Sequence, residues 1–214
     1  MTVFASPYTP SKHAGWGFQY IPTDTYTPGR TTTSYDGHDW SIQNGTDVVI
    51  THGPPHGILD RTQDAKRGGS QGLFAAVEKA RPRLHCFGHI HEGWGARMVT
   101  WREGSQGTTI ANHNEDAARW PSHFTHIDND KSVTIGSLTG IQAGKWDTEA
   151  DKEEKRQRLK RYRDQQACFT SHCSGDGLPL QAGKQTVFVN AAIQGESDEG
   201  IQLPWVVDVE LPRA

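Results

Sequence analysis

Two histidines separated by one residue, at the end of an apolar run, are the groups in this sequence best spaced to hold metal ions. Residues 84–95 read Leu-His-Cys-Phe-Gly-His-Ile-His-Glu-Gly-Trp-Gly. Leu84, Cys86 and Phe87 make a run of strand length that stops at Gly88; His89 and His91 follow, and Gly93 and Gly95 close the loop. In extended backbone, residues i and i+2 share a face and lie ~6.6 Å apart along the strand. Imidazole nitrogens bind zinc at ~2.0–2.1 Å, and paired catalytic metals stand ~3.5–4 Å apart. His89 and His91 therefore have the spacing to serve one metal each of a dinuclear pair. A packed histidine beside a solvent-facing one would spell the same motif, so a second element is needed.

Residues 47–57, Asp-Val-Val-Ile-Thr-His-Gly-Pro-Pro-His-Gly, provide it. Val48, Val49 and Ile50 form the β-branched run expected of a strand buried on both faces. His52 comes directly after, and Gly53-Pro54-Pro55 prevents the strand from continuing. Between the two histidine segments, Ser70 is placed to cap a helix over about residues 71–80, with Leu73, Phe74, Ala76 and Val77 as its buried stripe and Pro82 ending it. Strand, helix, strand in about forty residues is a βαβ unit, so the two strands are expected to be parallel. His52 and His89 then emerge on one edge of the sheet, where open α/β sheets place ligand sites. His56 lies in the same loop, as a further ligand-side contact or a solvated loop histidine.

Thr51-His52-Gly53-Pro54 taken with Gly88-His89-Ile90-His91 resembles the C-terminal half of the calcineurin-like metallophosphoesterases. The likeness is nearest to their small single-domain branch, where His-Gly-Pro-Pro and Gly-His-Ile-His recur together. Ser6-Pro7-Tyr8-Thr9-Pro10 and Phe188-Val189-Asn190-Ala191-Ala192 read like the same branch, and the resemblance covers about residues 2–101 and 186–211. It implies an α/β layered sheet with flanking helices and metal-dependent hydrolysis of a small phosphomonoester or phosphodiester, cyclic nucleotides included. It also implies a dinuclear pair of divalent ions (Mn, Fe, Zn or similar). Carried over by motif, His52 and His89 would hold one metal and His91 the other; no catalytic residue is assigned. The family's upstream set, an Asp-x-His strand end with Gly-Asp-x-x-Asp and Gly-Asn-His-Asp/Glu, is not found before residue 47. That set supplies the bridging carboxylate and most remaining ligands. The expectation is thus a partial metallophosphoesterase domain over 1–214 with the N-terminal half of the fold missing, impaired as a hydrolase. The alternative is a non-catalytic metal-binding or scaffold remnant, completed by a partner chain.

The rest of the chain sets limits. At 214 residues it suffices for one domain with a core. A mean hydropathy of −0.71 points to long polar loops. The formal charge of −3 gives no general attraction to nucleic acid or anionic membranes. Three cysteines without a framework, no basic, apolar start and no bilayer-length apolar run suggest a soluble cytoplasmic protein. Val3-Phe4-Ala5 reads as a strand with no partner before it, and the alternating Trp16, Phe18 and Tyr20 as one face packing on a core. Residues 21–46 read as a long loop. Ala96 to Trp101 is a further strand. Residues 102–185 read mostly as a polar insertion carrying His113, His123, His126 and Cys168-x3-His172-Cys173, whose spacing matches no usual zinc pattern. Within it, Thr148 and Asp151 would cap a basic, solvated helix over about 149–166. Strands near 186–189 and 206–211 complete the reading.

Overall fold

In the computed structural model, the described residues are 1–11, 15–22, 38–107, 110–111, 118–119, 121–195 and 201–212. His113 and most of the expected loop at 21–46 lie outside them. In chain order the elements are β1 (Val3–Ser6), β2 (Thr9–Pro10), β3 (Gln19–Tyr20), β4 (Val48–Thr51), α1 (Gln71–Ala80), β5 (Leu84–Phe87) and β6 (Gly95–Trp101). Then come β7 (Ile110–Ala111), β8 (Ala118–Arg119), α2 (His123–His126), β9 (Ile127–Ser137), α3 (Glu149–Gln165), β10 (Cys168–Ser171), β11 (Gln185–Asn190) and β12 (Trp205–Asp208).

The βαβ unit forms as its sequence requires. The Ser70 hydroxyl accepts from the Leu73 amide at 3.0 Å and starts α1. The helix ends on Arg81, which the following Pro82 keeps out of helical geometry and which turns left-handed at φ 47°. Ser70→Ala is expected to cost about 1 kcal/mol in urea unfolding. β4 and β5 pair in parallel. They sit in a six-stranded sheet of order β1-β4-β5-β11-β6-β9, in which the first four strands are parallel, β6 runs antiparallel to them and β9 antiparallel to β6.

One face of this sheet packs Val49, Phe87, Phe188, Val99 and Trp101 against Leu73, Phe74 and Val77 of α1. The other face, with Val187, Val189, Ala96 and Met98, is covered by Leu178, Leu180 and the small β10–β12 sheet through Trp205 and Val207. This second layer does not extend over β1 and β4. Ile50 is therefore 47% exposed and Val3 46%, which corrects the expectation of a β4 buried on both faces. β1 pairs with β4 and is the outermost strand on that side of the sheet.

Trp16 and Phe18 also depart from expectation: both are exposed, and only Tyr20 packs toward the core. The stretch expected as an insertion contributes β9 to the central sheet, beside β6. α3 has the anticipated Thr148–Asp151 capping box and no buried residue. Three of its cations pair with acids, Arg156 with Glu153, Arg158 with Glu154 and Lys160 with Asp164. His172 has both ring nitrogens engaged, Nδ1 with the Leu178 carbonyl and Nε2 with Thr170 Oγ1, and neither is left for a metal. Among the described residues no helix is long and apolar enough to cross a membrane.

Candidate metal centre

The strand ends set the centre. β4 stops at Thr51, whose hydroxyl donates to the Gly53 carbonyl at 2.7 Å and so must accept from His85 Nε2 at 2.9 Å. His85 is fully buried on β5, and burial pushes its imidazole down to about 3. It is thus a neutral donor that fixes the bend leading out of β4. The His52 carbonyl accepts from the Gly88 amide at 2.9 Å, tying the end of β4 to the end of β5.

The turn after β5 is not the extended segment the sequence suggested. His89 is left-handed, with φ 69°, and His91 opens a 3-10 turn to Gly93. A non-glycine residue in this region is strained and persists only when its surroundings hold it. Asn190, fully buried at the end of β11, provides that hold. Its amide donates to the Ile90 carbonyl at 2.8 Å and the Leu59 carbonyl at 3.0 Å, and its oxygen accepts from the Ala192 amide. A methyl group at Gly93 would lie 2.0 Å from the Leu59 carbonyl oxygen. Gly93→Ala is therefore expected to cost about 3 kcal/mol, as overpacking does, and to show in denaturant melts.

Within this frame His52 Nε2 stands 3.1 Å from His89 Nδ1. Two imidazoles on one tetrahedral ion, each at ~2.0–2.1 Å, have ligating nitrogens ~3.3 Å apart. The pair is close to that arrangement already. Burial, then the neighbouring His52 and His91, lowers the His89 pKa, which favours the neutral ring that ligation requires. A narrow cleft beside His89 is walled by Tyr8, Trp40 and Pro54.

The remaining groups do not join. Among the described residues no third histidine, cysteine or carboxylate completes a metal-holding cluster, so His91 does not meet the His52–His89 pair. Asp60, in the loop that follows His52, is fully buried. It is spent on the amides of Gly57 and Gly69 and on Arg67 at 2.7 Å. Asp47 holds the Thr2 amide and Arg83 at the opposite end of β4. Asp36-Gly37-His38 spells Asp-x-His, but it follows no apolar strand run, and the His38 ring stacks between Tyr8 and Tyr20. The described residues do not supply a dinuclear site. The sequence singles out His52 and His89, which the structure brings together, but not His85 or the Asn190 amide, since single polar residues in apolar strands carry no periodic signal.

No protein-family model matches the chain. Over 96 residues it is 40% identical to metallophosphoesterase domain-containing protein 1 of Homo sapiens, covering 44% of this chain and 26% of that protein. Over 81 residues it is 37% identical to a UPF0046 protein of Caenorhabditis elegans, covering 37% of this chain and 28% of the relative. A protein named probable rhamnogalacturonate lyase C, from Emericella nidulans, is 42% identical over 102 residues, 47% of this chain and 8% of that protein. The chain thus spans less than a third of the length of each of these relatives. The metallophosphoesterase-named relatives support a metallophosphoesterase-like family for the part of the chain they cover.

Proposed function

We propose that this chain carries the C-terminal, histidine-bearing half of a metallophosphoesterase-type phosphoester hydrolase of the small branch. The observation that carries the reading is the 3.1 Å approach of His52 Nε2 to His89 Nδ1 at the ends of two parallel strands. These two residues would hold one divalent ion (Mn, Fe or Zn), whose chemistry is to polarise a phosphoryl oxygen and acidify a bound water. Thr51 and His85 orient the His52 loop, and Asn190 holds the His89 turn. His91 would serve a second ion once carboxylates from outside the matched motifs, or from a completing partner chain, are in place. The substrate class is a small phosphoester, a monoester or diester. The pairing of Arg156, Arg158 and Lys160 with acids lowers the positive charge α3 could offer nucleic acid. The lack of a third ligand among the described residues favours a second reading, a metal-binding remnant without turnover.

Metal binding tests the shared part of both readings. His52→Ala and His89→Ala are each expected to abolish most Mn²⁺ or Zn²⁺ binding in titration calorimetry, whereas His126→Ala and His172→Ala are expected to leave it intact. Equal losses from the latter two would move the site elsewhere.

A further inference from the structure

A second cluster lies along the loop that leaves His52, built from groups the metal centre does not use. His123, at the start of α2, is only 8% exposed, and neither ring nitrogen has a hydrogen-bond partner. His56 faces it with ring centres 5.6 Å apart, and its Nδ1 is also buried without a partner. Residue 57 must be glycine for this packing, because a Cβ there would fall 2.1 Å from His123 Nδ1. Two guanidiniums share the region. Arg67 is held at 2.7 Å by Asp60, whose carboxylate also binds the Gly57 amide. Arg97 on β6 donates from Nη2 to Asn129, while its Nε is buried without a partner. Both are close enough for their charges to depress the His123 pKa, after the larger effect of burial.

Four buried nitrogens without partners therefore gather from a loop, a helix start and a strand. Burying each such atom with its hydrogen bond unmade is costly. The Arg97 Nε–H is a donor only, and each neutral imidazole also carries one N–H donor. Arg67 and Arg97 against Asp60 leave a local formal charge of +1. A metal cation would be repelled there, and Asp60 is already spent on Arg67, Gly57 and Gly69. Donors converging from several directions under a positive field suit an anion with several acceptor oxygens. We infer that His56, His123, Arg97 and Arg67 form a binding site for a tetrahedral oxyanion of the phosphate class, distinct from the His52–His89 centre. The site does not depend on metal being bound at that centre. Its occupant is either free inorganic phosphate or the phosphoryl group of an ester.

Nuclear magnetic resonance of the imidazole nitrogens in the full chain tests this directly. Inorganic phosphate, phenyl phosphate, acetate and chloride are titrated separately at constant ionic strength. Phosphate is expected to shift the His56 and His123 ring nitrogens together along one saturating curve. Arg97→Gln and His123→Gln are each expected to weaken that binding at least 10-fold, and His89→Ala is expected to leave it unchanged. Equal affinity for phenyl phosphate would identify the phosphoryl group of an ester as the occupant, and a preference for inorganic phosphate the free anion. The inference fails if the two rings do not respond in the wild-type protein, or if chloride or acetate moves them as readily. It also fails if the response disappears in His89→Ala but survives in Arg97→Gln. Because the wild-type rings are read directly, a variant that does not fold still leaves the question decided. Loss of Mn²⁺ binding at His52 and His89 is measured separately, so failure of either site is seen independently.

Discussion

Stability is expected to fall as pH drops below 6.5, and His85→Gln is expected to remove a substantial part of that slope. The His85 ring is fully buried, its pKa is about 3 in the folded chain, and 6.5 is the ordinary value. Between these limits the unfolded chain takes up a proton that the folded chain refuses. The stabilisation due to a neutral buried ring is thus complete above pH 6.5 and is lost as pH falls toward 3. At ~1.4 kcal/mol per pKa unit, the full effect is about 5 kcal/mol at most, a large fraction of a typical domain's stability. His123, lowered to about 4 mainly by burial, adds to the same acid limb. Glutamine keeps a donor near Thr51 Oγ1 but does not titrate, so it separates the proton from the hydrogen bond. Urea unfolding at pH 7, 6, 5 and 4 measures the slope. An acid limb in His85→Gln that overlays the wild type would show that another group controls it.

His85 also shows where the sequence stops being informative. The β4–α1–β5 unit was legible because periodicity, a serine cap and a proline stop agree over one short segment. The convergence of His52 and His89 follows from that unit alone, since parallel neighbours end on the same edge. Register fixes where side chains emerge but says nothing of what they bond to. Hence nothing in the sequence shows that Asp60 is spent on Gly57, Gly69 and Arg67, or that the Asn190 amide anchors the His89 turn. β9 was hidden for a different reason. It borders the sheet with much of its length exposed, so its residues need no apolar face. The exposure of Ile50 depends on how far the β10–β12 layer reaches, a tertiary fact with no local signature.

The largest effect expected is on turnover. Residues 1–214 alone, with Mn²⁺ added, are expected to hydrolyse bis-p-nitrophenyl phosphate no faster than the His89→Ala variant does. The reason is the ligand set. A two-metal phosphoesterase clamps the attacking and leaving oxygens between ions ~3.5–4 Å apart, and hard divalent ions take oxygen ligands to fill their shells. The described residues bring two imidazoles to one point; Asp47 and Asp60 are committed elsewhere. One weakly held ion can bind a phosphoryl oxygen but cannot perform that clamp. Each ~1.4 kcal/mol of lost transition-state stabilisation is a factor of ten, so a missing ion worth several kcal/mol costs at least ~10²-fold. Supplying the N-terminal half of the metallophosphoesterase domain of the human relative, fused or in trans, is expected to raise turnover by about that factor. The gain should vanish with His52→Ala or His89→Ala. Steady-state kinetics with and without the added half measure both. Strong Mn²⁺-dependent hydrolysis by the unaided chain, abolished by His89→Ala, would mean that this chain already supplies its own carboxylate ligands, and the completing-half proposal would fall.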